Sequence, residues 1–171
     1  MSGALALRCA RAGAALRHDL RPGDIGEMVR MHGALYAREH GFPCGFEAYV
    51  AGTMAAYSWP LADRERLWIL ERDGMMAGSI AIVKATDSAA QLRWLLLSSE
   101  LRGKGLGRAL VEEAISFSRL AGYSSVFLWT VSSLTTATAV YRRAGFARTE
   151  SKTHQLWGAV RTEERYDLAL A

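Results

Sequence analysis

Residues 101–108 read LRGKGLGR, so three glycines and three cations fall within one short stretch. The apolar run QLRWLLLS before it (91–98) predicts a buried strand, and the pattern from Gly105 to Ala121 predicts a helix. A strand that leads into a helix through such a loop leaves several backbone N–H groups unpaired, where the helix dipole adds partial positive charge. The stretch therefore predicts an anion site, with a pyrophosphate as the candidate ligand.

The residue types in this loop suit a phosphate ligand. Glycines let the backbone approach a ligand closely, and cations add full positive charge. The residues with these two roles are Gly103, Gly105, Gly107, Arg102, Lys104 and Arg108. A P-loop would need Ser or Thr after Lys104, and a GxGxxG fingerprint would need glycine at Arg108, so neither motif is present. The alternative is a tight turn whose cations are solvated.

The composition indicates a folded globular chain that favours an anionic small ligand. The 171 residues suffice for one domain, and half of them are hydrophobic while 22% are charged. The formal charge of +4 comes from arginines spread along the chain, which disfavours a dedicated nucleic-acid surface. No apolar run approaches the ~20 residues of a membrane span. We therefore expect neither a nucleic acid nor a membrane as a partner.

The spacing of cysteines and histidines limits the chemistry further. Cys9 and Cys44 stand far apart, which is unlike a disulfide framework and favours a reducing cytoplasm. The four histidines show no HxxxH or Cys-His pairing, so we predict no metal site. The first residues resemble a signal peptide only weakly, because two arginines interrupt the apolar stretch. We predict a flexible extension over residues 1–14 and a single domain over 15–171.

The order of the patterns predicts an α/β (α+β) domain. The stretch DIGE, from Asp24 to Glu27, predicts a capping box at a helix start, and Asp73-Gly74 predicts a hairpin turn. The strand, helix and strand around Gly105 indicate parallel pairing across that helix. The predicted helices cover 25–39, 46–57, 105–121 and the run closed by Gly145; the predicted strands flank the turn at 72–74 and cover 91–98, 125–130, 147–157 and 162–170.

Two motifs resemble a known family. Residues 102–107, RGKGLG, match the R/Q-x-x-G-x-G/A motif of the GNAT superfamily of acyl-CoA-dependent N-acyltransferases. AVYRRAGF (139–146) resembles the family's second signature, a helix with a tyrosine that ends in Gly-Phe. Several stretches also resemble the acetyltransferase half of bacterial proteins that fuse a winged-helix regulator to this domain. The resemblance implies a single domain whose central mixed, mostly antiparallel sheet is splayed at its two central parallel strands, with helices on both faces.

The resemblance also implies where a donor would bind. Coenzyme A would lie between strands 91–98 and 125–130, with its pyrophosphate on the backbone amides of 102–107, that of Leu106 included. In the family, a bulge in the first of these strands turns a backbone N–H toward the thioester carbonyl, which suits the oxyanion of the reaction. The residues beside the thioester would be Leu95, Leu96 and Leu97.

Two residues are candidates for proton transfer. The tyrosine of the second signature is Tyr141, whose neutral phenol could protonate the departing thiolate; the alternative is a core tyrosine. The helical phase of 25–39 places Glu39 on the apolar face, where a carboxylate is costly unless it is paired, hydrated or used. We predict that Glu39 removes the amine proton, with His32 and Tyr36 lining the acceptor pocket. The alternative is a Glu39 that extends to solvent at a frayed helix end.

The leading interpretation is an enzyme, an N-acetyltransferase that moves acetyl from acetyl-CoA to a primary amine by direct attack in a ternary complex. A small-molecule acceptor is favoured over a peptide or protein amine. The alternative is a non-catalytic acyl-CoA-binding sensor or regulatory domain, because a cofactor-binding motif can persist in a protein that has lost the catalytic activity. The resemblance suggests a bacterial, cytoplasmic protein, and a homodimer stays open.

Overall fold

A computed structural model describes residues 3–57, 59 and 61–170. Its strands are β1 Ala15–Arg17, β2 Arg66–Arg72, β3 Met75–Lys84, β4 Ala89–Leu97, β5 Ser125–Val131, β6 Ala147–Leu156 and β7 Ala159–Ala169. Its helices are α1 Gly3–Arg11, α2 Asp24–His40, α3 Cys44–Ala55, α4 Leu106–Leu120 and α5 Thr135–Arg143, with a short 3-10 turn at Ser99–Leu101. None of the helices in these ranges is both long and apolar enough to pass through a membrane.

All seven strands within these ranges form one mixed sheet in the order β1-β2-β3-β4-β5-β7-β6. Every neighbouring pair is antiparallel except β4 and β5, which α4 connects as a crossover. The parallel contact joins only Ala89–Gln91 to Ser125–Phe127, and beyond it the two strands diverge toward their C-terminal ends. The predicted fold, a mostly antiparallel sheet splayed at two central parallel strands, is confirmed.

Helices cover both faces of this sheet. The larger core lies under α4, where Leu110 and Val111 pack with Trp68 and Ile80 from the sheet. The second core lies on the opposite face, where Met54 and other apolar residues of α2 and α3 pack against β2 and β3. Because both faces are covered, β3 is buried along most of its length, whereas β4 alternates between buried and half-buried residues.

The local turn predictions have different outcomes. The hairpin turn is confirmed, because Asp73 and Gly74 connect β2 to β3 with φ angles of 52° and 75°. The capping box is wrong: Gly23 is the N-cap of α2, without a capping side-chain hydrogen bond. The carboxylate of Asp24 instead accepts two hydrogen bonds from the guanidinium of Arg17, at 2.8 and 2.6 Å, since β1 brings that cation beside the helix start.

The predicted flexible extension over residues 1–14 is replaced by a docked helix in the described part of that range. Residues 3–11 form α1, which contacts α4. Leu5 and Cys9, one turn apart on one face, are both 1% exposed and belong to the larger core. Burial of these two side chains holds the helix on the domain. Met1 and Ser2 lie outside the described residues.

Candidate functional site

The glycine loop connects the end of β4 to the start of α4. Gly103 and Gly105 have φ angles of 72° and 74°, a left-handed conformation that a side chain would strain. Gly105 is the N-cap of α4, and no side chain in the described ranges caps the helix there. The N–H groups of the first helical turn are therefore available as hydrogen-bond donors, and their binding of a pyrophosphate stays a prediction.

A pyrophosphate fits this loop. A Cβ at Gly103 would meet no atom within 4 Å, so the surface beside that residue is open. At Gly107 a Cβ would make an ordinary contact of 3.6 Å with Leu97 Cδ1, so backbone freedom is required only at the other two glycines. Left-handed glycines, free amides and nearby cations together form the donor set that an anionic group needs.

The three cations predicted for this loop have different partners. Arg102 Nη1 lies 2.5 Å from Glu39 Oε2, and its Nε donates to the carbonyl of Leu97 at 2.8 Å. Arg108 Nε lies 2.7 Å from Glu112 Oε1 on the next turn of α4. Lys104 is exposed and forms no ion pair within the described ranges. Two of the three cations are therefore already neutralised by carboxylates of the protein itself.

A β-bulge interrupts β4 next to the point where β4 and β5 diverge. Ala81 pairs with Arg93 and Ser79 pairs with Leu96, so that two residues of β4, Trp94 and Leu95, lie opposite one residue of β3. Trp94 has a φ of 51°, and the hydroxyl of Ser79 donates to its carbonyl at 2.7 Å. The bulge expected from the resemblance thus lies at Trp94 and Leu95, and it takes backbone groups out of the ladder.

A cavity of about 120 Å³ opens between the diverging strands. Of the predicted site residues, the cavity is lined by His32, Tyr36, Leu95 and Tyr141. Leu96 instead packs beside α2, and Leu97 packs against the α4 core, so neither lines this cavity. The remaining lining residues are Phe46, Tyr49, Val50, Thr53, Gln91, Leu92, Arg93, Trp94, Leu128, Trp129, Thr130, Val131, Leu134, Ala137, Trp157 and Glu163.

Tyr141 reaches the cavity from α5. Its side chain is buried, and burial, together with the neighbouring Tyr36, raises the pKa of its phenol. Burial likewise raises the pKa of Tyr36 to about 12. Both hydroxyl groups therefore stay protonated at neutral pH and can act as hydrogen-bond donors.

His32 reaches the same cavity from α2 and has a defined tautomer. Its Nδ1 lies 2.7 Å from the carbonyl of Met28, so that Nδ1 carries the proton and Nε2 is the acceptor. Nε2 is buried and has no hydrogen-bond partner within the ranges described. Burial lowers the pKa of His32 to about 4, so the ring is neutral at pH 7. The cavity wall thus contains a free, buried proton acceptor.

Glu39 does not line the cavity. Its carboxylate lies at the end of α2, bound to Arg102 and 3.3 Å from Arg38 Nη2. Burial by itself would raise the pKa of Glu39, but the hydrogen bonds and charges of these two arginines lower it overall. The carboxylate of Glu39 is therefore paired with two arginines. This placement gives no support to the predicted role of Glu39 as the base.

Two charged residues of the cavity were not indicated by the sequence. Among the described lining residues Arg93 is the basic side chain and Glu163 the acidic one. Arg93 lies beside the rings of Tyr57 and Trp94, and Glu163 Oε2 lies 3.3 Å from His154 Nε2. Arg93 lies in the run QLRWLLLS, whose leucines suggest that both faces of the strand are buried. Glu163 lies in β7, which is distant from β4 in the sequence. No alternation in the sequence singles out Glu163, because residues 161–165 of β7 are all polar.

The described residues contain no cluster of three or more His, Cys, Asp or Glu side chains that could hold a metal ion. Besides the charged side chains of Arg93 and Glu163, the cavity offers a neutral imidazole, protonated phenols and backbone N–H groups. These groups can accept a proton, donate a proton and polarise a carbonyl respectively.

The chain is similar to known acetyltransferases. The family model of the acetyltransferase (GNAT) family matches residues 33–146. N-acetyltransferase family 8 member 3 of Rattus norvegicus is 38% identical over 87 residues, which cover 48% of this chain and 38% of the rat protein. N-acetylaspartate synthetase of Danio rerio is 30% identical over 121 residues, which cover 70% of this chain and 42% of the fish protein. The chain thus spans about two fifths of the length of these curated relatives.

A solved structure shows the same fold. Spermidine N-acetyltransferase from Vibrio cholerae, in complex with CoA and spermine, superposes with a TM-score of 0.65 over 93% of this chain and 96% of that chain. The two sequences are 16% identical. At this identity the likeness concerns the fold alone.

Proposed function

The chain belongs to the acetyltransferase (GNAT) family, and from that premise we propose that it transfers the acetyl group of acetyl-CoA to a primary amine by direct attack in a ternary complex. One observation carries the proposal: the uncapped glycine loop opens at the point where β4 and β5 diverge. The aromatic cavity with its proton donors and acceptor lies between the same two strands. A donor site and an acceptor site therefore meet at one break in the sheet.

The donor would be held by the glycine loop and by β4. The amides around Gly103 and Gly105 suit the pyrophosphate, and the bulge at Trp94 and Leu95 suits the thioester carbonyl. Acetyl-CoA, when bound, supplies an acetyl group that is activated as a thioester. Backbone N–H groups of the bulge residues, which stand outside the regular β3–β4 ladder, would polarise its carbonyl.

Tyr141 is the proposed proton donor. Because its raised pKa keeps the phenol protonated at neutral pH, Tyr141 Oη holds the proton that the departing sulfur needs. The position of Tyr141 in the cavity, next to the diverging strands, supports this role.

His32 is the proposed proton acceptor. An alkyl ammonium has a pKa near ~10.4 and must lose a proton before the amine can attack. The free Nε2 of His32 can accept a hydrogen bond from the attacking amine and then its proton, and the hydrogen bond to the Met28 carbonyl keeps the ring's own proton on Nδ1. The same role for Glu39 stays a prediction.

A small amine is the proposed acceptor. The cavity is small and walled by aromatic rings, and the carboxylate of Glu163 would attract a cationic amine. The alternative is a non-catalytic acyl-CoA sensor. A cytoplasmic location, a bacterial origin and the likeness to regulator fusions stay predictions.

Calorimetric titration with acetyl-CoA, desulfo-CoA and ATP tests the donor site. Gly105→Glu adds a charged side chain at the helix N-cap, and Gly122→Glu is the matched control. Gly122 has a φ of 78° at the other end of α4, and a Cβ there would meet nothing within 4 Å. Both variants carry the same backbone strain of about 1–2 kcal/mol.

We expect the wild type and Gly122→Glu to bind both CoA ligands in preference to ATP, and Gly105→Glu to lose that binding. A screen of primary amines with acetyl-CoA then follows thioester loss. Equal binding of ATP, or unchanged CoA binding in Gly105→Glu, would contradict the proposed donor site. Tight CoA binding without acetyl transfer to any amine would establish the sensor instead.

A further inference from the structure

Helix α1 brings two more cations to the glycine loop. Arg8 Nη1 lies 3.4 Å from the point where a Cβ on Gly105 would stand. Arg11 follows one turn later in the same helix, and both side chains are exposed. A helix outside the matched family region thus contacts the residue that caps α4.

A second cleft lies between this helix and the loop, with a volume of about 480 Å³. Its lining residues are Ala4, Leu7, Arg8, Arg11, Ala12 and Lys104. A volume of this size is within the range of small-molecule sites, ~300–1,000 Å³. The cleft combines three cations with the apolar side chain of Leu7 and has no acidic lining residue among those described.

The cations of this cleft differ from the other cations of the loop. Arg102 and Arg108 are each bound to a carboxylate, whereas Arg8, Arg11 and Lys104 form no ion pair within the described ranges. Like charges that gather without counterions repel one another, and a bound anion relieves that repulsion. The unneutralised charge of the loop therefore lies on the side of α1.

The buried face of α1 keeps these cations in place. Leu5 and Cys9 are held in the core, so Arg8 and Arg11 project from a helix that is docked rather than free. A docked position lowers the entropy that the arginines lose when they bind a ligand.

We propose that Arg8, Arg11 and Lys104 form a phosphate-monoester subsite that binds the 3′-phosphate of the donor nucleotide. The proposal rests on acetyl-CoA being the donor. On that ligand the 3′-phosphate stands on the ribose next to the pyrophosphate, and the cleft stands next to the pyrophosphate loop. At neutral pH the monoester adds nearly two negative charges to those of the pyrophosphate, which three unpaired cations can neutralise.

The test compares the affinities of CoA and 3′-dephospho-CoA, which differ only in this phosphate. Both are titrated against the wild type, Arg8→Gln/Arg11→Gln and Arg8→Lys/Arg11→Lys. Arg119→Gln is the control, because Arg119 is an exposed arginine at the opposite end of α4. Glutamine and lysine both favour helix, and thermal melts check that α1 stays folded.

We expect the wild type to bind CoA about tenfold more tightly than 3′-dephospho-CoA, the effect of one charge-assisted contact set. The double glutamine variant loses this preference, the double lysine variant retains most of it, and Arg119→Gln is unchanged. The preference also shrinks as ionic strength rises.

Two results would overturn the subsite. An equal loss of affinity for both ligands would assign the arginines to the pyrophosphate, and no loss for either would remove them from the donor site. A wild type that binds neither ligand would instead refute the proposed function itself. The two failures are therefore distinguishable.

Discussion

Glu39 Oε2 and Arg102 Nη1 lie 2.5 Å apart, so an ion pair joins the last turn of α2 to the glycine loop. The same guanidinium donates to the carbonyl of Leu97 at the end of β4. Arg102 thus connects three segments that border the proposed donor and acceptor sites. The carboxylate of Glu39 holds Arg102 in place at the start of the loop. Because Arg102 already has this partner, its guanidinium is only partly available to a phosphate.

Glu39→Gln should affect donor binding more than chemistry. Glutamine can still accept the Arg102 hydrogen bond, but the loss of a negative charge beside an anion site should tighten acetyl-CoA binding by about two- to fivefold. Isothermal titration and a pH series of kcat measure the two effects. A fall in kcat of about 100-fold with a flattened pH profile would show that Glu39 is the base after all.

Ser79→Ala should loosen the β4 bulge. The variant removes the donor to the Trp94 carbonyl, so that a buried acceptor loses its partner at a cost of about 1–3 kcal/mol. We expect a lower Tm and a fall in kcat with less change in the Kd of acetyl-CoA. Ser118→Ala is the control: its buried hydroxyl donates to Ala114 inside α4, away from the bulge, and kcat should stay unchanged. Equal kcat in both variants would remove the bulge from the mechanism.

Tyr141→Phe should lower kcat by about 10²-fold or more, because the ring stays in place while the proton at Oη is lost. The Kd of acetyl-CoA should change little. Steady-state kinetics with the best amine of the screen provide the measurement. Tyr123→Phe, which changes another buried tyrosine outside the cavity lining, should retain full activity. A Tyr141→Phe enzyme as active as the wild type would make Tyr141 a packing residue.

His32→Gln should lower kcat/KM for the amine by about 10²-fold while acetyl-CoA still binds. His18→Gln is a close control, since His18 also has Nδ1 near a backbone carbonyl, 3.2 Å from Leu67, and a buried Nε2 without a partner in the described ranges. His18 does not line the cavity. Similar losses in the two variants would point to general destabilisation instead of proton transfer.

His32 should also make the fold sensitive to acid. Burial lowers its folded pKa to about 4 from an ordinary 6.5, so below pH 6.5 the unfolded chain binds a proton that the folded chain does not. The free energy of unfolding should therefore fall as pH drops from about 6.5 to 4, by at most about 3 kcal/mol at ~1.4 kcal/mol per pKa unit. Burial lowers the pKa of His18 as well, with the same sign.

Urea unfolding of the wild type and His32→Gln at several pH values measures this effect. The slope of the free energy of unfolding against pH between 4 and 6.5 should be smaller in the variant. The slope that remains in the variant comes in part from His18. Identical slopes would mean that water reaches His32 and that its pKa is ordinary.

Local features of this chain could be predicted from sequence because they depend on neighbouring residues. Asp73-Gly74 adopts left-handed angles that few other pairs tolerate, so the hairpin follows from two residues. The glycine loop follows in the same way from Gly103 and Gly105. The parallel pairing of β4 with β5 follows from a crossover helix between two apolar runs.

Side-chain partners across the fold could not be predicted in this way. Arg102 and Glu39 form an ion pair although 63 residues separate them in the sequence. The pair therefore depends on where α2 ends relative to the loop. The alternation of β4 reverses at Trp94 and Leu95, because a bulge adds one residue against β3, and no period in the sequence marks that point.

By itself, then, the sequence determined the elements from α2 onward, their order and the glycine loop, because turn angles, periodicity and helix ends are set within a few residues. Tertiary structure alone decided which charges are neutralised and which stay free. It pairs Arg102 with Glu39, docks α1 through Leu5 and Cys9, and so leaves Arg8 beside the loop without a carboxylate partner in the described ranges. The reason is that electrostatic energy depends on distance through space, which packing sets after the local structure has formed.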